Sequence, residues 1–186
     1  GTPAAARAAV AGAALSSVAT VLQLTAVLGL TSLPLLRSMA LPLALSGAVA
    51  VLYGAFYMWH AQGSDGAVTP GRAFSPAHAL GFALAMGGVI AGSTLLVRWL
   101  GPQGAILGAG LSGLADVHAG AASAGALHRG GALDLATARI AVLAGFSTNA
   151  LTKAVIAAWS GGARFGSRLI PGLVLMVLVA WAGLLL

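Results

Sequence analysis

The chain has 186 residues, of which 59% are hydrophobic and only 6% charged, with nine Lys+Arg against three acids and a net charge of +6. A soluble domain carries about 25% charged residues, so a mean hydropathy of +0.99 excludes a solvated globular surface and leaves a polytopic membrane protein. The basic residues are scattered singly without interleaved aromatics, which excludes nucleic-acid binding, and the absence of Cys excludes disulfides, thiolate metal sites and cysteine nucleophiles.

Backbone groups in hydrocarbon must be satisfied within the protein, so the apolar runs are helices or barrel strands. They lack dyad alternation and have helix length. The expected fold is therefore all-α, a polytopic transmembrane helix bundle of about six spans in one domain, 1–186. The first span covers 4–30 and ends at Thr31-Ser-Leu-Pro34; the second covers 35–59. A polar loop over 60–73 follows. Ser75-Pro76 opens the third span, which runs to 100, as a cap residue before Pro at the first helical position does. Gly101-Pro102 turns into the fourth, 103–128. Arg129-Gly-Gly131 turns again, and Asp134 caps the fifth, 135–159. Gly161-Gly162 leads to the sixth, 169–186. The spans pair as three hairpins, 1–60, 74–128 and 133–186. Spans one–two and five–six share the spacing of Ser16-Ser17 to Arg37 and Ser147-Thr148 to Arg168, as parallel repeated hairpins would.

Tyr53, Tyr57, Trp59, Trp99 and Trp159 fall near span ends, as an aromatic belt does. With the N-terminal side named A, six crossings put Arg7, Arg72 and Arg129 on A and Arg37, Arg98, Arg164 and Arg168 on B. Arg139 snorkels to A in that scheme. The balance leaves the orientation open. Abundant Gly and Ala lets helices approach closely in lipid. The chain opens on Gly1 without a signal-peptide pattern, which reads as part of a longer or processed protein.

The chemistry is concentrated in two charged residues inside apolar runs, Asp116 and Lys153. An ionisable group at the bilayer centre costs roughly 2.5–3.5 kcal/mol on insertion scales, so it has a partner or a role. On the fourth helix Ser112, Asp116, Gly120 and Ser123 share a face. His118 faces away from Asp116 unless the glycines around Gly113 break the helix, as in the discontinuous helices of transport sites. On the fifth, Gly145, Asn149, Thr152 and Lys153 share a face. Gly12, Ser16, Thr20 and Gln23 on the first helix complete a polar seam. One reading is a mid-membrane site for a cation, proton or small polar solute built from Asp116, His118, Asn149, Thr152 and Lys153. The other is an Asp116–Lys153 bridge that only fixes helix register. His60, His78 and His128 near side A are weak candidates for metal or haem, without i, i+4 ligand spacing. No Ser/His/Asp motif, P-loop or dinucleotide fingerprint occurs; the expectation is a non-enzymatic protein that needs no cofactor.

Ser112-Gly-Leu-Ala-Asp-Val-His-Ala119 resembles a Ser-Gly-Leu-x-Asp-Val-Asp-Ala signature, and Gly131-Ala-Leu-Asp-Leu-Ala-Thr-Ala138 a Gly-Leu-Asp-Pro-Ala-Thr-Ala helix start. Asn149-Ala-Leu-Thr-Lys153 is similar to an Asn-x-x-x-Lys motif, and Arg164-Phe-Gly-Ser-Arg-Leu-Ile-Pro171 to the loop that follows it. These motifs belong to the multi-pass domain of unknown function that forms the C-terminal half of MgtC/SapB-type bacterial membrane proteins. The resemblance implies the bacterial inner membrane, a preceding MgtC-like domain and a link to magnesium or ion homeostasis, in which a non-transporting regulatory role stands beside ion transport; the bundle is expected to be a homo-oligomer or docked to that domain. The resemblance carries the signature onto Asp116, Asn149 and Lys153. His118 departs from it, replacing a second acid. That weakens a Mg²⁺ site, which prefers oxygen ligands, and leaves a proton-linked or metal-selective variant, since His titrates near neutral pH.

Overall fold

The computed structural model describes residues 3–61 and 76–186, with side chains from Arg7 onward except at Ser160 and most positions of 76–97. The regular structure described is helical throughout: α1 (Pro3–Thr31), α2 (Leu33–Trp59), α3 (Pro76–Ala115), α4 (Val117–Arg129), α5 (Leu135–Ser160) and α6 (Gly162–Leu185). Arg7–Thr31, Leu33–Trp59, Leu135–Trp159 and Gly162–Leu185 are each long and apolar enough to cross a membrane. The bundle is an all-α membrane architecture, as the composition requires. Most of the expected loop over 60–73, with Asp65 and Arg72, lies outside the described residues.

Leu24, Leu28, Leu35, Met39 and Leu143 are fully buried, and small residues share the interior with them. Alanines 11, 14, 50, 109, 121, 124, 138, 141 and 180 are buried, while Leu22, Leu30, Leu52, Leu178 and Leu185 face outward. Hydrophobic exclusion does not hold helices together in lipid, so small residues that permit close backbone contact occupy the interior. Trp59, Trp99 and Trp159 are among the most exposed side chains and sit at helix ends, where amphipathic rings anchor to the interface.

α1 and α2 form a hairpin about Ser32, whose hydroxyl accepts from the Leu35 N–H at 3.4 Å. Pro34 sits in the first turn of α2, where a missing N–H costs nothing. Arg7 closes the open end by donating to the His60 carbonyl at 2.5 Å. α6 runs antiparallel to α2: Tyr53 Oη donates to the Arg168 carbonyl at 2.5 Å, Ser46 Oγ to Met176 O at 2.8 Å, and Gly183 backs onto Pro42. α5 runs antiparallel to α6, with Arg139 Nη2 donating to Leu184 O at 2.8 Å. At the junction of α5 and α6 the chain reverses through Gly162, whose φ of 74° is cheap only without a Cβ.

The segment expected as the fourth crossing does not cross. α3 has two arms, 76–100 and 102–115, separated by Gly101 at φ 57° and ψ −133°. The second arm runs parallel to α5: Thr148 Oγ1 donates to Gly110 O at 2.6 Å and, one turn on, Thr152 Oγ1 to Leu114 O at 3.1 Å. At Asp116 the backbone becomes extended, φ −149° and ψ 110°. α4 then folds back along the arm it came from. A Cβ on Gly120 would lie 3.1 Å from Ala109 Cα, Gly125 packs on Thr31, and Arg129 Nη1 donates to Leu30 O at 3.3 Å. Leu30 and Thr31 are the end of α1, on side B. Arm and α4 are therefore a re-entrant helical hairpin that enters and leaves on B with Asp116 at its tip. The physical limit is length: the 13 residues of α4 span about 20 Å at 1.5 Å each, against a hydrocarbon core of about 30 Å.

This reverses the sides expected for the last third of the chain. Arg129, Asp134 and Arg139 lie on B, and Arg164 and Arg168 on A. Asp134 caps α5 as expected, accepting from the Thr137 N–H at 2.8 Å and the Thr137 hydroxyl at 2.7 Å. The hydroxyl bond first, then the N–H bond, holds its carboxyl below the ordinary value of 3.8. A carboxylate with a lowered folded pKa stabilises the fold above the unfolded value, and that contribution disappears as pH falls through the folded one. Asp134→Ala should therefore reduce the loss of thermal stability between pH 5 and pH 2.5, read as Tm in detergent. An unchanged acid slope refutes the assignment.

The hairpin is seated by its closest crossing. A methyl on Gly113 would overlap the Gly145 carbonyl and the Thr148 hydroxyl, and one on Gly145 would lie 2.9 Å from Ala109 O. Gly12, on an open face of α1, has nothing within 4 Å. Gly→Ala should favour each helix by about 1 kcal/mol of propensity. At Gly113 overpacking against backbone should reverse that with a cost of about 1–3 kcal/mol. Thermal melts should thus show Gly113→Ala destabilised and Gly12→Ala unchanged or stabilised; equal behaviour of the two would remove the close crossing.

Candidate functional site

The tip of the re-entrant hairpin brings together two residues that a continuous helix would point apart. Asp116 Oδ1 accepts from the His118 N–H at 2.9 Å, capping α4, and lies 2.7 Å from His118 Nδ1. The side chains are 26% and 28% exposed. A carboxylate only accepts, so Nδ1 donates in this contact, and in the neutral imidazole Nε2 is then the acceptor. That Nε2 is buried and without a hydrogen-bond partner among the described residues. A carboxylate that fixes a histidine tautomer and frees the other nitrogen is the arrangement found behind metal-ligating and proton-shuttling imidazoles.

The backbone break is held by hydroxyls. Ser112, 2% exposed, accepts from the Asp116 N–H through its carbonyl at 2.6 Å. Its Oγ donates to Asp116 O at 2.9 Å. Thr148 and Thr152 reach across from α5 to carbonyls of the arm. Irregular backbone at membrane depth is tolerated where protein satisfies it or where it lines a cavity; here side chains on both sides of the break supply the bonds.

Lys153 does not meet Asp116. Its Nζ donates to Thr20 Oγ1 at 3.0 Å and Ser17 Oγ at 3.4 Å, and the basic side chain that meets the Asp116 carboxylate among the described residues is His118. The reason is angular. Successive helical residues are about 100° apart at 3.6 per turn, so once Thr152 faces the arm, Lys153 faces α1. α5 thus presents two stripes: Thr148 and Thr152 to the hairpin, Asn149 and Lys153 to α1 and α6. Asn149 lines a small void with Ser17, Thr20, Lys153 and Met176.

The seam on α1 is only partly as expected. Thr20 joins it and Ser16 lines a neighbouring cavity, but Gln23 is exposed. Ser17, buried at 2%, takes the place in the seam that the spacing argument assigned elsewhere; its signal was the i, i+3 relation to Thr20. Ser123 on α4 is exposed and stands outside the cluster. The histidine group does not assemble. His60 lies on side A beside Phe56, while His128 lies on B, 3.0 Å from the Leu133 carbonyl; the side chain of His78 is outside those described. No cluster of three or more His, Cys, Asp or Glu occurs among the described residues.

Beyond Lys153 a cavity of about 560 Å³ opens between α1, α5 and α6. Its walls include Ala13, Ala157, Phe165 and Leu169, with Ser16 and Lys153 as its polar members.

Fold and site together define a polytopic helical membrane protein with a re-entrant hairpin carrying an ionisable pair at its tip. The chain belongs to the family described as Domain of unknown function (DUF4010), which matches residues 1–161, from α1 through the end of α5. No curated protein and no solved structure matches it.

Proposed function

We propose that the chain is a transporter or channel-like module that moves an ion or small polar solute through a mid-membrane site at the hairpin tip. The observation that carries this reading is the Asp116–His118 pair: an ionisable dyad at a backbone break in a bundle with few charges, with His118 Nε2 buried and without a partner among the described residues. Intramembrane ionisable residues mark ion pathways and proton relays by default, and half-helix ends aimed at the bilayer centre build transporter sites. In this reading Asp116 orients the imidazole and carries negative charge, and His118 Nε2 accepts a proton or a cation. Thr148 and Thr152 hold the arm in place. Asn149 and Lys153 form a second polar focus one helix face away. The module carries out no covalent chemistry.

The resemblance to MgtC/SapB-type proteins supports the bacterial inner membrane, ion homeostasis, and an oligomer or a preceding domain as its context. It also supports a second reading, a non-transporting regulatory subunit. One observation favours that alternative: Ser112, Thr148 and Thr152 already spend their hydroxyl protons on backbone carbonyls, as a purely structural seam would.

The test is flux in liposomes reconstituted with the protein, scanning Mg²⁺, other divalent ions, Na⁺ and protons. Flux above protein-free liposomes for one of these, lost in Asp116→Asn, supports transport. No flux for any of them, with a folded protein, shifts the reading to the regulatory subunit.

A further inference from the structure

Lys153 is a cation inside α5 that has no counter-charge among the described residues. The chain has three acids in all. Asp116 is paired with His118, Asp134 caps α5 on side B, and no described carboxylate lies within ion-pair distance of Lys153. An ammonium has three donors. Thr20 and Ser17 accept two of them, and the third is left for the cavity that Lys153 lines.

That cavity is an open groove on the outer face of α1, α5 and α6, with the volume and polarity of a ligand site. Its volume of about 560 Å³ falls inside the roughly 300–1,000 Å³ of small-molecule pockets, which are mostly apolar with a few placed polar groups. Lys153 and Ser16 lie at the inner end. Ala9, Gly161 and Phe165 lie toward side A, where α1 begins and α5 meets α6. From Ser16 to Ala9 the wall extends about two helical turns, roughly 10 Å at 1.5 Å per residue, and it is hydrocarbon apart from the end that bears the charge. A cation ligand would meet the ammonium with like charge. A phosphate dianion would find one cation and one free donor, too few to balance it. A monoanion with an apolar tail matches both ends.

We infer that the cleft between α1, α5 and α6 is a binding site for a medium-chain monocarboxylate, with its carboxylate on Lys153 Nζ and its hydrocarbon tail along Ala13, Ala157, Phe165 and Leu169 toward side A. The inference goes beyond ion movement at the hairpin tip and does not rest on it. Binding is read directly, without flux, so either idea can fail while the other stands.

The experiment is calorimetric titration of octanoate into the protein in nanodiscs of zwitterionic lipid, with 1-octanol as the uncharged twin. The wild type should bind octanoate and bind octanol at least about tenfold more weakly, since loss of one partner of a desolvated charge pair costs at least that much. Lys153→Met, which keeps length and apolar bulk, should weaken octanoate by a similar factor and leave octanol unchanged. Lys153→Arg should restore octanoate binding. Ala13→Leu keeps the charge and fills the apolar wall, so it should abolish binding of both and serves as the test if Lys153→Met fails to fold. Three results would each overturn the inference: no heat with wild type, octanol equal to octanoate (an adventitious additive only), or octanoate bound equally by the wild type and a folded Lys153→Met.

Discussion

Cysteines placed at Gln103 and at Ala132 will be labelled by a membrane-impermeant maleimide from the same side of the membrane, and one at Ala163 from the opposite side. All three positions are exposed, and the chain has no cysteine of its own, so each single variant reports one site. The prediction follows from the re-entrant hairpin. Position 103 opens the second arm of α3, and position 132 follows α4, whose last residue bonds to the end of α1. Position 163 opens α6, next to the turn from α5. A continuous fourth crossing gives the reverse result, with 103 and 163 on one face and 132 on the other. The effect is all-or-none in intact vesicles. It does not depend on knowing which face is cytoplasmic, and opposite-side labelling of 103 and 132 would dismiss the hairpin.

The difference between these topologies shows what hydropathy can and cannot read. Segment boundaries were legible because turn chemistry is local: Ser32 with Pro34, Gly101-Pro102, Asp134 and Gly161-Gly162 mark real turns and caps in the structure. The fate of 103–128 was not. A run of apolar residues long enough to cross looks the same whether it is straight or folded in half, since both forms bury the same side chains in the same medium. The local signal was present at Asp116 itself. Asp is among the preferred N-cap residues, and a cap in the middle of an apolar run states that a helix begins there. Gly113, suspected as the break, is helical; its role is to let the arm touch α5. The pairing of Asp116 with His118 follows from that break. The separation of Asp116 from Lys153 follows from which face of α5 meets the hairpin, a tertiary fact that spacing along one helix does not contain. Spacing did place Asn149 with Lys153, because i, i+4 relations within a helix survive any packing, but Thr152, expected on their face, turns with Thr148 to the hairpin.

Asp116→Asn should leave the fold nearly intact and remove the activity of the tip, and this separation of effects makes it the sharpest probe of the site. Asparagine caps a helix about as well as aspartate, and its side-chain oxygen can still accept from the His118 N–H. The stability change should therefore be below about 1 kcal/mol, within the spread among good capping residues. What the amide cannot do is carry charge or pair with a protonated imidazole. If His118 Nε2 takes up a proton or a cation during transport, the added positive charge at membrane depth loses the group that neutralises it, and intramembrane charges without a partner are costly. Flux should then fall to the level of protein-free liposomes while the melt stays in place. Asp116→Ala divides the two roles from the other side. It loses the cap as well as the charge, so it should lower stability by about 0.5–2 kcal/mol with the same loss of flux. His118→Gln, which keeps hydrogen bonding but removes the titratable ring, should match the flux of Asp116→Asn. A structural tip predicts another pattern: Asp116→Ala alone is unstable, and Asp116→Asn and His118→Gln carry whatever flux the wild type carries. That outcome would leave Ser112, Thr148 and Thr152 as the purpose of the polar seam, holding a broken helix in lipid, and would remove the dyad from the mechanism.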